Sequence, residues 1–192
     1  LFRIAKRLMD IALAGLGLVM LFPLSPLIAL LIVLESPGPV FYTQERLGRG
    51  GRRFRVWKFR SMRADAEKEK AVWAEEDDPR VTRIGYWLRK THLDELPQFW
   101  NVLKGDMSVV GPRPERPVFV HELKDEIPSY MQKHMVKGGI TGWAQIHGGR
   151  GDTDLVQRIQ HDLHYIENWS IWLDLKIIFL TVFKGLVHKN AY

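Results

Sequence analysis

The hydropathy pattern is dominated by an apolar run from Leu8 to Leu34, interrupted only by Asp10 and Ser25. That length suits a helix crossing a bilayer. No small-residue cleavage pattern follows it, so it is not a secretory signal. Its middle reads Phe22-Pro23-Leu24-Ser25-Pro26. Two prolines three apart remove backbone donors and predict a sharp bend, with Ser25 available to a carbonyl that the bend frees. Arg3, Lys6 and Arg7 precede the run, and Arg46, Arg49, Arg52, Arg53 and Arg55 follow it. Cationic flanks stay on the cytoplasmic side. Residues 1–36 are therefore expected to form a re-entrant membrane hairpin, helix-break-helix. A kinked transmembrane helix and a buried core helix are the alternatives.

Beyond Pro37 the period shortens. Val40-Phe41-Tyr42-Thr43 and Phe54-Arg55-Val56-Trp57, joined across Gly48-Arg49-Gly50-Gly51, predict a small β-hairpin. Lys58 and Arg60 fall on one face of its second arm and suit a diphosphate. The basic residues 49–55 also suit anionic lipid. Ala64 to Glu76 reads as a solvated helix, and Asp77-Asp78-Pro79 as a turn rather than a metal site. Thr82 is placed to cap a helix over Arg83 to Lys90 with Ile84, Trp87 and Leu88 inward. Glu115 to Val136 reads as helical scaffold broken at Pro128. Thr153 is placed to cap a helix running to Glu167. Ser170 opens a last apolar helix, Ile171 to Val187, expected in the membrane surface. The chain is thus expected to be mixed α/β and mainly helical, with several amphipathic interfacial helices.

Composition narrows the chemistry. The 192 residues contain no cysteine, which excludes disulfides, thiol catalysis and cysteine-ligated zinc. A net charge of +6 points to an anionic partner: nucleic acid, lipid headgroups or a phosphorylated substrate. Leucine at position 1 fits the C-terminal part of a longer protein. Residues 37–192 are expected to form one catalytic unit.

The densest chemistry lies in Thr91-His92-Leu93-Asp94-Glu95-Leu96-Pro97-Gln98. Leu96, Phe99, Trp100 and Leu103 recur at helical spacing, Gly105 supplies a stop, and Pro97 is tolerable only in a first turn. Asp94 and Glu95 are therefore expected at a helix N-terminus, where exposed N–H groups favour anions. Plain helix capping is the bland alternative. Arg89 and Lys90 arrive beside the acidic pair. Gly111-Pro112-Arg113-Pro114 forms a stiff loop around an arginine suited to bidentate phosphate recognition. Gly138, Gly139 and Gly142 near Gln145, and Gly148 to Gly151 around Arg150, match no nucleotide fingerprint. His161 and His164 lack a carboxylate that would complete a metal site, so they read as surface or core residues.

The conjunction of Ser25-Pro26, Lys58-Phe59-Arg60-Ser61-Met62, Leu93-Asp94-Glu95-Leu96-Pro97-Gln98, Gly111-Pro112-Arg113-Pro114 and Ile140-Thr141-Gly142-Trp143-Ala144-Gln145 resembles the monotopic phosphoglycosyl transferases, the bacterial sugar transferases. The tail resembles the branch that moves glucose 1-phosphate from UDP-glucose to undecaprenyl phosphate. The resemblance implies an enzyme on the cytoplasmic face of the bacterial inner membrane. Asp94 would be the nucleophile, Glu95 would help hold Mg2+ with it, and Lys58, Arg60, Arg89, Pro112, Arg113, Gln145, Arg150 and Asp174 would bind or support the phosphates. Galactose and N-acetyl sugar donors are alternatives, and association with further copies is left open. A nucleic-acid-binding module using the aromatics and cations of residues 54–60 is the rival class. It does not need the apolar hairpin, so no nucleic-acid partner is expected.

Overall fold

A computed structural model of the chain describes residues 2–66, 78–127, 129–148 and 155–187. The expectations for most of the helix at 64–76, for Asp77, Pro128, Arg150 and Thr153 lie outside them. The fold is mostly helical. Helix α1 (Phe2–Glu35) is followed by strands β1 (Phe41–Leu47) and β2 (Arg53–Phe59), then α2 (Arg83–Lys90) and α3 (Gln98–Lys104). Next come β3 (Ser108–Val110), α4 (Pro117–Leu123), β4 (Gly139–Thr141), α5 (Trp143–Ile146), α6 (Leu155–Glu167) and α7 (Ile171–Val187). Short 3-10 turns occupy Arg49–Gly51, Leu93–Glu95 and Tyr130–Met135.

Helix α1 is the one helix among the described residues long and apolar enough to cross a membrane. It runs unbroken through Pro23 and Pro26, so the expected helix-break-helix is a single helical run. Pro26 has no N–H for the Phe22 carbonyl. The Ser25 hydroxyl donates to that carbonyl instead, at 2.9 Å, and satisfies the group the proline orphans.

One side of α1 rests on the rest of the chain along most of its length. Ala14 joins a core with Val56, Val102, Met107 and Val110. Leu21, Ile28 and Ile32 pack with Phe59 and Leu88. A Cβ on Gly17 would lie 2.4 Å from the Phe99 ring, so glycine lets α1 and α3 approach there. Several polar residues near the two ends of α1 are engaged. Asp10 accepts from the Ser108 hydroxyl and the Val109 N–H, both at 2.9 Å. Arg7 donates to the Val102 and Leu103 carbonyls at the end of α3. Glu35 accepts from the N–H groups of Arg83 and Ile84. The outward side of α1 exposes Leu16, Val19, Met20, Phe22 and Leu27, and α7 exposes Trp172, Leu175, Phe179 and Phe183.

Strands β1 and β2 form the expected antiparallel hairpin, with Phe41 opposite Phe59 and Leu47 opposite Arg53. Strands β3 and β4 are parallel, which requires a long crossover; α4 and the 3-10 turn at Tyr130–Met135 supply it. The Thr82 hydroxyl accepts from the Gly85 N–H as expected. Ile84 and Leu88 face inward, but Trp87 is 59% exposed, with the Lys90 ammonium over its ring. Asp78 accepts from the Arg80 backbone, the turn its sequence predicts. Ser170 caps α7 through the Leu173 N–H.

Gly85 decides how deeply α2 seats. A Cβ there would fall 1.9 Å from the Ser61 carbonyl oxygen. Backbone cannot yield as a side chain can, so Gly85→Ala is expected to cost about 1–3 kcal/mol and to lower Tm by roughly 5 °C, read by tryptophan fluorescence in detergent. An unchanged Tm would show that α2 does not rest on Ser61.

Candidate active site

The acidic pair sits where the chain turns from α2 into α3. His92 adopts a left-handed conformation at φ 57°, and Leu93–Glu95 form a 3-10 turn. Helix α3 begins at Gln98, so Asp94 and Glu95 lie just before it rather than in its first turn. Gly105, at φ 94°, closes α3 by donating to the Asn101 and Val102 carbonyls. Leu93 and Leu96 pack on the α1 cluster around Leu88 and fix the turn from below.

The two carboxylates have different surroundings. Glu95 is held by two cations. Lys58 from β2 reaches its Oε1 at 2.7 Å, while Arg113 grips both oxygens, at 2.6 Å to Oε1 and 3.2 Å to Oε2. Burial would raise the Glu95 carboxyl, but the charges of Arg113 and Lys58 outweigh it and hold the group well below the carboxylate range. In return, the Glu95 charge raises the Arg113 guanidinium above its ordinary value. Lys58 is lowered by burial, which outweighs the pull of Glu95.

Asp94 is 6% exposed. Among the described residues no hydrogen bond or ion pair engages its carboxylate. Burial pushes it up to about 6, against the opposing charges of Lys58, Arg89 and Arg113 and with help from Glu95. One carboxylate is therefore locked by two cations, and its neighbour, which no hydrogen bond or ion pair engages among the described residues, is raised to about 6.

The loop that presents Arg113 is pinned on both sides. The Gly111 N–H donates to the Thr141 carbonyl, and the Gly139 N–H donates to that of Pro112, both at 2.9 Å. Gly111 has no room for a side chain, since a Cβ would lie 2.5 Å from the Lys137 carbonyl oxygen. Arg46 donates to the Pro114 carbonyl at 3.2 Å. Behind the loop, buried Glu115 accepts from Arg158 at 2.6 Å and lies near Lys133 and Arg46, and Lys133 pairs with Asp162 at 3.1 Å. These cations hold Glu115 below its ordinary range although burial alone would raise it.

Lys58, Arg113, Asp94 and Glu95 thus come together, with Arg89 close enough to act electrostatically on Asp94. The Arg89 Nε donates to the Ser61 hydroxyl at 3.0 Å. Arg60 is directed elsewhere: its buried guanidinium donates to the Ser36 and Pro37 carbonyls at the exit of α1. Strand β2 ends at Phe59, so strand alternation does not carry Arg60 onto the face of Lys58. Gln145 is buried and donates to the Ile140 carbonyl at 2.9 Å. Asp174 is fully buried against Lys6 at 2.7 Å, the Tyr165 hydroxyl at 2.8 Å and the Trp169 indole N–H at 3.2 Å. Lys6 and Tyr165 also donate to the Val110 carbonyl, one residue before Gly111. Asp174 therefore supports the arginine loop from beneath.

The sequence reading missed Lys6, Asp10, Arg46, Glu115 and Glu35 as parts of this support. The available signal was charge inside an apolar run, because an ionisable residue there needs a partner; Asp10 carries it.

A divalent cation has one free carboxylate here. Among the described residues no group of three or more histidine or acidic side chains could hold a metal ion. Asp94 offers oxygens, whereas both oxygens of Glu95 are taken by cations. Mg2+ binds one or two protein carboxylates and takes substrate phosphates for the rest, so Asp94 is the one member of the pair that could ligate it without breaking an ion pair. His161 stacks on His147 at 5.0 Å, and Trp143 packs against His147 and His164, an arrangement of aromatic packing.

Residues 1–188 match the family described as bacterial sugar transferase. The chain is 51% identical over 194 residues to the UDP-glucose:undecaprenyl-phosphate glucose-1-phosphate transferase of Escherichia coli K12, covering 99% of the chain and 42% of that protein. It is 50% identical over 184 residues to the UDP-N-acetylgalactosamine-undecaprenyl-phosphate N-acetylgalactosaminephosphotransferase of Aeromonas hydrophila, covering 95% and 44%. A UDP-glucose:undecaprenyl-phosphate glucose-1-phosphate transferase of Caulobacter vibrioides is 44% identical over 191 residues, covering 97% and 72%. The chain therefore spans about two fifths of the length of the first two relatives and most of the third. With a match over nearly its whole length and the acidic pair and arginine loop joined at one centre, the chain belongs to the bacterial sugar transferase family.

Proposed function

We propose that this chain transfers a sugar 1-phosphate from a UDP-sugar to undecaprenyl phosphate through a phosphosugar carried on Asp94, beginning a glycan on its lipid carrier. The observation that carries the reading is the contrast within the acidic pair: Asp94 is buried, without a hydrogen bond or ion pair among the described residues and close to Lys58, Arg89 and Arg113, while Glu95 is consumed in ordering two of those cations. An Asp94 oxygen attacks the sugar-bearing phosphorus, the bond to the bridging oxygen breaks, and UMP departs with that oxygen. An oxygen of the lipid phosphate then attacks the same phosphorus and restores the carboxylate. Every reacting group is anionic, so Lys58, Arg89 and Arg113 serve by neutralising charge and holding phosphates in line. Mg2+ bound by Asp94 and the diphosphate would supply further neutralisation. Glu95 orders Lys58 and Arg113 in this reading and would ligate the metal only by giving up those pairs.

The donor is UDP-glucose, the sugar in the names of the Escherichia coli and Caulobacter relatives. Detergent-solubilised protein given labelled UDP-glucose and Mg2+ without lipid should release UMP and retain label, and Asp94→Asn should abolish both. Label surviving in Asp94→Asn would overturn the covalent step. Faster UMP release with UDP-N-acetylgalactosamine, the donor in the name of the Aeromonas relative, would overturn only the choice of sugar.

The Asp94 ionisation predicts the pH profile. Its carboxyl, raised to about 6, is protonated and unable to attack below that pH and ionised above it. UMP release should therefore rise with pH through about 6 and level off. Lys58 is one of the charges that lower this pKa, so Lys58→Met should move the acid limb to higher pH. A limb that stays in place would remove Lys58 from the electrostatics of Asp94.

The acceptor phosphate lies at headgroup depth, and we read α1 as embedded in the cytoplasmic leaflet of the inner membrane with both ends on the cytoplasmic side. Supporting this, Lys6, Arg7, Asp10 and Glu35, from opposite ends of α1, all bind the same catalytic body. The sequence has no cysteine, so single cysteines placed at Arg3 and Pro37 report on topology without background. In inverted membrane vesicles both should react with an impermeant maleimide; reaction of one alone would mean that α1 crosses.

A further inference from the structure

Both halves of the candidate site are tied to α1, and by different ends of it. On the Arg113 side, Asp10 accepts from Ser108 and Val109, and Lys6 donates to the Val110 carbonyl and pairs with Asp174. These bonds hold β3, whose next residues are Gly111, Pro112 and Arg113. On the Asp94 side the tie is Glu35. Its two carboxylate oxygens accept from the Arg83 N–H at 2.7 Å and the Ile84 N–H at 2.8 Å.

A helix begins with four N–H groups that have no partner inside it. In α2 the Tyr86 N–H makes the first intrahelical bond, to the Thr82 carbonyl; of the four before it, the Thr82 N–H goes to the Ser61 carbonyl and the Gly85 N–H to the Thr82 hydroxyl. The remaining two, Arg83 and Ile84, are met from outside the segment by Glu35. A carboxylate at that end also matches the positive pole of the helix. Helix α2 carries Arg89, and Asp94 follows its last residue by four. Its Leu88 packs against Leu21, Ile28 and Ile32 of α1, so Glu35 and these contacts set the position of α2 on α1 together.

We infer that Glu35 is a positioning residue for the transfer: through the N-terminus of α2 it sets Arg89 and Asp94 relative to Arg113, with α1 as the common strut. Glu35 touches no reacting atom. Its effect is the distance between nucleophile and phosphate site, a quantity to which rate is steep. This rests on the reaction proposed above, and its test has one arm that does not.

The test compares Glu35→Ala and Glu35→Gln in the full chain, in detergent. UMP release from UDP-glucose should show kcat for Glu35→Ala lower by about ten- to a hundredfold, with KM changed by no more than about twofold because the Arg113 side keeps its own ties. Glu35→Gln, which retains one acceptor oxygen, should recover part of the loss. Hydrogen exchange, which needs no turnover, should quicken in Glu35→Ala at residues 83–84 and onward through 89–96. Faster exchange confined to 83–84 with kcat unchanged would make Glu35 a simple cap and overturn the inference. Equal loss in both variants would also overturn it, as would a kcat falling only in proportion to folded protein. If wild type releases no UMP, the transfer reading fails, and the reach of the exchange effect still decides the tie.

Discussion

Removing an ionised carboxylate from water costs several kcal/mol unless opposite charge and hydrogen bonds replace the solvent. Glu95 meets that requirement with one lysine and one bidentate arginine, and so joins three segments that are distant in sequence. Lys58 comes from the end of the hairpin, Glu95 from the turn before α3, and Arg113 from the loop after β3. Removing any one partner leaves uncompensated charge under cover, so the three segments are held in one arrangement. The same arrangement keeps these cations close enough to act on Asp94, whose own carboxylate no hydrogen bond or ion pair engages among the described residues. Two adjacent acids of nearly equal intrinsic strength are separated by environment alone: Arg113 and Lys58 outweigh burial at Glu95, and burial outweighs them at Asp94.

Local signals in the sequence were reliable where the physics is local. The hairpin, the Thr82 cap, the start of α7 after Ser170 and the Gly105 stop each depend on residues within a few positions, and each forms as read. Ser25 also does what its place beside Pro26 suggests, though α1 continues where a break was expected. Misreadings arise where a period was extended past its element or a distant partner decided the outcome. Alternation placed Arg60 beside Lys58, but the strand had already ended and the guanidinium turned to Ser36 and Pro37. Helical spacing placed Trp87 inside, but Leu88 and Ile84 join the cluster with α1 while Trp87 stays exposed.

The candidate site was legible as a set of residue types and not as a division of labour. Asp94, Glu95, Lys58 and Arg113 could be named from motifs. That Glu95 is committed to both cations follows only from the fold. The support around them was hidden for the same reason: Lys6 meets Asp174 across 168 positions, and Glu115 meets Arg158 across 43. Pattern within a window of a dozen residues carries no information about such pairs.

The supporting contacts also explain why the apolar helix is part of the catalytic body rather than a tether. A tether would leave its polar ends free to hydrate. Here Lys6, Arg7 and Asp10 engage β3, α3 and α7 at one end, and Glu35 engages α2 at the other, while the apolar side chains between them divide into a packed side and an exposed one. Any displacement of α1 along its axis would break carboxylate and carbonyl bonds at both ends together. Because the segments so held carry Asp94 and Arg113, the position of α1 fixes the position of the site. On the proposed reading, in which α1 lies in the leaflet and the acceptor phosphate at the headgroups, the same contacts would hold the site at one depth.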